Sequence, residues 1–456
     1  MVSSIILKSQ LEGAKRLDAE YYQPEYLDND KLLRRFNLHK IADIADVVYG
    51  TTPKGASFSE HGVPFIRSQN FDNSLIKISE LVYCSEDFHN RNRKSEVMPS
   101  DILFAAVGAT IGEIAIVQDS FGRGNINQNI AKIRVKNDSN PYFVWLFFNS
   151  KIGQKQIGRL TTGNAQAYLN TEQIGSFVVP EIEDNGLYKK YYKNISDSST
   201  NADKFYKKAE STFLEELKLN NFQQQDNFLS TVINLSEAKS VHRFDAEYFN
   251  SPCNKMLATI SKGRTAKLGD LVDMTKGVEP GAGRYQDEGK LFIRVSSISK
   301  DGIIDKDQKY LSEDLYNEYK NDYQPRVGEI LLTKDASLGV ACLVREEVKG
   351  IVSSGVMRLK ISEIRLGGKE NINPEYLTLV LNSIIGRLQA ERDAGGSIIA
   401  HWKPEQIKNL VVPILSAETQ DKIADLLSQS YKARKKAREL LEEAKLKVEE
   451  MIERNN

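Results

Sequence analysis

Short apolar runs punctuate the chain, and their spacing predicts two kinds of element. Ile102-Leu-Phe-Ala-Ala-Val107, Ile114-Ala-Ile-Val117, Ile130-Ala-Lys-Ile-Arg-Val135 and Ile330-Leu-Leu-Thr333 are brief and rich in β-branched or aliphatic residues, and they read as buried strands. Asn140-Pro141 and Asn373-Pro374 read as helix starts, with asparagine as cap and proline in the first turn. The apolar stretches that follow, Tyr142 to Phe148 and Tyr376 to Leu381, are expected to be largely buried helices. Pro180 and Pro413 close the two globular stretches.

Long charged segments follow each globule. Residues 417–454 contain neither glycine nor proline, and Ala433, Ala437, Leu440, Ala444, Val448 and Met451 recur at near-heptad spacing. Residues 187–222 carry a similar stripe through Tyr188, Tyr191, Ile195, Ala202, Phe205 and Ala209. A helix of ~35 residues is about 50 Å long. Neither stripe is stable alone in water, so each helix needs a partner, and the other long helix is the simplest one. The residues expected to pair are Ile195, Ala202, Phe205, Ala209, Ala437, Leu440, Ala444 and Val448.

The two halves are copies of one unit. Arg16-Leu-Asp-Ala-Glu-Tyr-Tyr22 recurs 227 residues later as Arg243-Phe-Asp-Ala-Glu-Tyr-Phe249. At the same offset, Lys40 to Gly50 matches Lys267 to Gly277, Phe65-Ile-Arg67 matches Phe292-Ile-Arg294, and Gly112 to Val117 matches Gly339 to Val344. Beyond a six-residue insertion near Arg365-Leu-Gly-Gly368 the offset is 233. There Asn140 pairs with Asn373, Gln173-Ile174 with Gln406-Ile407, and Val178-Val-Pro180 with Val411-Val-Pro413. The expected organisation is a globule at 1–182, a long helix and linker at 183–238, a second globule at 239–415 and a second long helix at 416–456. The fold class is mixed α/β (α+β), with antiparallel long helices and pseudo-two-fold symmetry.

Composition removes several classes. The 456 residues carry 62 Lys+Arg and 62 Asp+Glu, are 40% hydrophobic and 27% charged, and suit folded domains rather than a disordered chain. No apolar run approaches the ~18 residues of a membrane span, and the first residues do not resemble a secretory signal. Cys84, Cys253 and Cys342 stand far apart, which fits a reducing cytoplasm and excludes a disulfide framework or a cysteine zinc module. Zero net charge gives no global signature of nucleic-acid binding and leaves local basic patches open.

Catalytic patterns are missing or weak. Asn140-Pro-Tyr-Phe143 lacks the second proline of an amino-methyltransferase loop, and the capping reading explains both copies. No glycine-rich nucleotide loop is present. His39, His61, His89, His242 and His401 are scattered, so no metal ligands are assigned. Asp335 with Glu347-Val-Lys349 is only a faint echo of a nuclease site. Polar loop material is more abundant. In copy one it comprises Arg67, Gln69, Asn70, Arg91, Arg93, Lys94, Asn127, Gln128, Asn129, Asn164 and Gln166. In copy two it comprises Arg294, Ser296, Ser297, Lys334, Ser353, Ser354 and Ser397. Arginine and amide side chains read guanine and adenine edges, while lysine and hydroxyls hold phosphates. The set recurs in position and changes in chemistry, as two readers with different targets require.

In this layout the chain resembles the specificity subunit of type I restriction–modification systems. The resemblance covers essentially the whole length. It rests on Arg-x-Asp-Ala-Glu-Tyr opening each half, on Phe-Ile-Arg before a polar loop, on Gly112-Glu-Ile-Ala-Ile-Val117, and on Pro413-Ile-Leu-Ser-Ala-Glu-Thr-Gln420 entering the long helix. Copy one departs from it: Pro180 to Leu187 lacks the Glu-x-Gln start, and Gly186 with the polar Ser196 to Asn201 weakens the helical signal there. The resemblance implies two target-recognition domains on bipartite double-stranded DNA, with helices setting the spacer. It also implies docking of two methyltransferase subunits and of restriction/translocase subunits. Those partners use S-adenosylmethionine, ATP and Mg2+; this chain is expected to hold no cofactor, to catalyse nothing and to be cytoplasmic. The alternatives are a self-contained methyltransferase or nuclease with an unrecognised site, and a coiled-coil adaptor for proteins.

Overall fold

The computed structural model describes residues 4–8, 11, 16–56, 58–59, 61–136, 139–161, 168–220, 222, 232–241, 243–244, 246–249, 252–304, 308–362, 372–394 and 401–454. The chain divides into two compact units, 1–203 with 432–456, and 204–431. Each unit therefore takes one half of each long helix.

The first unit is built on a six-stranded sheet. Its strands run in the order Ala45–Tyr49, Ile130–Val135, Ile102–Ala105, Ile114–Ile116, Leu75–Ile76, Phe71–Asp72. The expected strands are there because every side chain of Ile102–Ala105 and of Ile114–Ile116 is buried, so uninterrupted apolar runs suit them. A second, four-stranded sheet has the order Val82–Cys84, Val63–Ile66, Gly124–Ile126, Glu96–Val97. Within it Val63–Ile66 and Gly124–Ile126 run parallel, with Phe65 opposite Asn125. Helix Pro141–Asn149 covers the large sheet with Phe143 to Phe148 buried, and the Asn140 side chain accepts from the Tyr142 and Phe143 amides at 2.9 and 3.2 Å.

The second unit repeats this plan in reduced form. A four-stranded sheet runs Val272–Lys276, Val356–Ile361, Ile330–Thr333, Ala341–Leu343. A three-stranded sheet runs Lys309–Leu311, Lys290–Ile293, Gly350–Val352, again with a parallel pair, Phe292 opposite Ile351. Helix Pro374–Asn382 is capped by Asn373, which accepts from the Glu375 amide at 3.0 Å.

Both long helices form, Leu187–Glu216 and Ala417–Arg454. The first runs without a break through Ser196 to Asn201, although the sequence there is polar. Ser196 and Ser198 are buried, and the Asp184 carboxylate accepts from the Gly186 and Leu187 amides at 3.0 Å each, supplying the N-terminal cap. Gly186, at φ +87°, makes the turn into the helix. In the first unit Tyr188 donates to the Met451 sulfur, Tyr191 to Glu443, and Asp203 pairs with Arg434. Partners thus descend along one helix as they climb the other, which makes the pairing antiparallel. The helices are also more than a free-standing coil. Tyr188, Tyr192, Ile195, Ala437, Leu441, Ala444, Val448 and Ile452 belong to the core of the first unit, and Ala209, Phe213, Ile423, Leu426 and Leu427 to that of the second. Ala202 is fully buried, while Phe205 and Leu440 are partly buried against these cores.

Candidate nucleic-acid interface

The loops singled out in the sequence meet at one end of each parallel strand pair. In the first unit Val63–Ile66 ends at Arg67, and a 3-10 turn, Ser68–Asn70, follows. Asn70 is buried, and its side-chain oxygen accepts from the Arg67 amide at 2.9 Å. The Asn127 amide donates to the Ile66 carbonyl at 3.1 Å, the Thr51 amide to Ile126 at 3.0 Å, and the Gln128 amide to the Thr52 hydroxyl at 3.3 Å. The Ala106 amide donates to Asn129, and the Leu169 amide to Ala106. These hydrogen bonds draw the loops carrying Arg67, Gln69, Asn127, Gln128 and Asn129 together into a ring, with Gln69 and Gln128 exposed.

The second unit assembles the same ring. Arg294 ends strand Lys290–Ile293, the turn Val295–Ser297 follows, and the buried Ser297 hydroxyl accepts from the Arg294 amide at 3.2 Å. The Ser353 amide donates to Ile293, Ser354 to Val278, Lys334 to Gly355, and Trp402 to Lys334. Arg294, Ser296, Ser297, Lys334, Ser353 and Ser354 are thereby brought together. Glycine is required where the ring closes. A Cβ on Gly50 would stand 2.2 Å from the Asn127 carbonyl oxygen, and one on Gly277 2.2 Å from that of Ser353.

Not every candidate side chain faces outward. Asn70 and Ser297 are spent on capping their turns, and Lys334 and Ser353 are buried. Arg67 is half-buried, its Nε enclosed without a hydrogen-bond partner, and its guanidinium lies 5.7 Å from the Phe58 ring. Arg91, Arg93 and Lys94 are exposed, but Arg91 pairs with Asp87 and Arg93 with Glu96. This basic run is tied to strand Ile130–Val135 through Lys132, whose ammonium donates to the Lys94 and Glu96 carbonyls at 3.1 and 2.6 Å. Desolvation pushes the Lys132 pKa down, and the Arg134 charge adds to it. Asn125, the first of the amide cluster, is internal: His89 Nδ1 lies 2.6 Å from its oxygen, and its nitrogen donates to Ser95. Asn164, Gln166 and Ser397 lie outside the described residues.

Two residues at the rim escape a reading by residue type alone. Tyr168 and His401 form isolated bridges to Val107 and Asp335. The later offset of the repeat, 233, relates them, and that is the signal by which they could have been found. Among the described residues no cluster of three or more His, Cys, Asp or Glu side chains is arranged to hold a metal, and no helix is long and apolar enough to cross a membrane.

A sequence model of the type I restriction modification DNA specificity domain matches residues 35–180 and 261–445, one stretch in each half. No curated protein matches the chain. Similar solved structures include the S subunit of a type I restriction–modification system from M. genitalium, at 11% identity and TM-score 0.35, covering 91% of this chain and 95% of that one. The HsdS subunit from Thermoanaerobacter tengcongensis aligns at 12% identity and TM-score 0.27, over 92% of this chain and 97% of that one. The type IIG restriction endonuclease BpuSI aligns at 10% identity and TM-score 0.27, over 76% of this chain and 44% of that one.

Proposed function

Because the chain belongs to the family of type I restriction–modification DNA specificity domains, we propose that each of its two units reads one half of a bipartite double-stranded DNA sequence. The observation that carries this reading is the duplicated ring of loops at the end of the parallel strand pair. Its scaffold is the same in both units: an arginine ending a strand, a capped 3-10 turn and a glycine pressed against the facing turn. Its side chains differ, with amides at Asn127 to Asn129 in one unit and hydroxyls at Ser353 and Ser354 in the other. One scaffold with two side-chain sets suits recognition of two different half-sites, since base edges are told apart by donor and acceptor pattern.

In this reading the chain supplies sequence choice and no chemistry. Two methyltransferase subunits and the restriction/translocase subunits dock on it, bring S-adenosylmethionine, ATP and Mg2+, and modify or cleave the DNA. The long helices set the gap between the half-sites. A chain of zero net charge leaves much of the phosphate-binding surface to those partners.

The test is co-expression with the candidate methyltransferase subunit and mapping of adenine methylation in the host genome. A single split motif with a fixed gap is expected. Exchange of residues 1–180 for those of a related chain is expected to change one half of the motif and leave the other. A well-formed complex that adds no methylation in the presence of all its subunits sinks the reading and favours a protein adaptor.

A further inference from the structure

Tyr168 and His401 hold the same position in the repeated fold but present opposite chemistry. Each bridges the segment that leaves a central sheet strand, Val107 after Ile102–Ala105 and Asp335 after Ile330–Thr333. Each is followed by a residue whose amide donates to that same segment, Leu169 to Ala106 and Trp402 to Lys334. Tyr168 is 51% exposed and stacks on Tyr49 with centroids 6.0 Å apart and 15° between planes.

His401 is held differently. Its Nδ1 lies 2.8 Å from Asp335 Oδ1, while Asp335 Oδ2 accepts from the Lys334 ammonium at 2.9 Å. Burial pushes the Asp335 carboxyl up, but hydrogen bonds from His401 and Lys334 outweigh it and hold it below the usual range. An ionised carboxylate only accepts, so His401 Nδ1 carries the hydrogen. In the neutral ring Nε2 is then an acceptor, on a side chain that is 65% exposed.

We propose that this position determines one base in each half-site. His401, oriented by Asp335, accepts a hydrogen bond from an exocyclic base amino group, adenine N6 or cytosine N4, in the half-site of the second unit. Tyr168, backed by Tyr49, packs its ring against a thymine methyl group in the half-site of the first. A thymine offers only that methyl and an acceptor in the major groove, whereas adenine and cytosine offer the amino group. The inference rests on the two-reader function above and names side chains for it.

The experiment selects bound duplexes from a randomised pool with the chain in complex with its methyltransferase subunit. His401→Ala is expected to cut discrimination at one base position in one half-site by at least about fivefold, leaving the other half-site unchanged. Tyr168→Ala is expected to do the same at one position of the other half. His401→Gln, which keeps an accepting oxygen, is expected to retain the preference, and Asp335→Ala to weaken it by freeing the ring. Tyr168→Leu keeps the apolar contact and serves if the alanine variant fails to fold. An unchanged motif in both alanine variants, or affinity lost equally for every sequence, overturns the inference. If the unaltered complex selects no split sequence, the two-reader function itself falls; a split sequence that ignores both substitutions sinks this inference alone.

Discussion

Arg358 and Glu329 face each other across the second unit through two hydrogen bonds of 2.9 Å, with both side chains buried. The first unit has the same fork, Arg134 on Asp101 at 2.7 Å twice, and there the hydrogen bond to Asp101 raises the arginine pKa despite its burial. Each carboxylate also accepts a nearby backbone amide, from Arg326 and Met98. Removing one partner leaves an uncompensated buried charge, so Arg358→Met is expected to cost about 3–5 kcal/mol, measured by urea unfolding. Arg358→Met combined with Glu329→Leu is expected to recover most of that loss. Neither pair was legible in the sequence, because a charged residue on a strand looks like its solvent face until the partner strand is known. The same limit governs the candidate interface. The recurrence of Arg67 as Arg294 could be read from the repeat. That Asn70 and Ser297 turn inward as caps could not, because a polar loop residue carries no local sign of the direction it faces.

At the scale of elements, local chemistry was a good guide where it is self-contained. The strands Ile130–Val135 and Ile330–Thr333 match the expected bounds, and Asn140 and Asn373 cap their helices as asparagine before proline suggests. The seam of the C-terminal long helix was legible only in part. Ala437, Ala444 and Val448 are buried, but the continuous stripe passes through Ser430, Arg434 and Leu441, with Leu440 beside it. Two polar residues in the stripe hide it from a hydrophobicity pattern. Arg434 is tolerated there because Asp203 pairs with it at 3.0 Å and Asp72 lies at 3.6 Å. Ala437→Glu places an unpaired charge in the core of the first unit and is expected to destabilise the protein by more than about 2 kcal/mol. Leu446→Glu, at a half-exposed position of the same helix, is expected to change stability by less than about 0.5 kcal/mol. Thermal melts of the two variants check the difference.

For the whole molecule, the duplication was the most legible feature, because it is written as an order of matches rather than as any single motif. The division into units was not, since it depends on which core each helix half enters. All three cysteines are free and buried. Burial raises the Cys84 thiol pKa, pushes Cys253 up to about 11 and Cys342 up to about 12. The thiolate is the reactive form, so the native protein at pH 8 is expected to resist a thiol reagent, while the unfolded chain reacts at three sites. Rapid modification of the native protein would contradict this packing.

The first unit comprises 1–203 together with 432–456, whereas the second is one uninterrupted stretch, 204–431. On a ribosome the earlier-made unit must therefore wait. Its core lacks Ala437, Leu441, Ala444, Val448 and Ile452 until the last part of this sequence emerges, while the later-made unit already has every residue it needs. Nascent chains stalled shortly after Tyr431 has cleared the exit tunnel are expected to protect the second unit from protease and to leave the first open to cutting. Folding order is then expected to run against synthesis order, with the final turns of the C-terminal helix completing the core of the first unit.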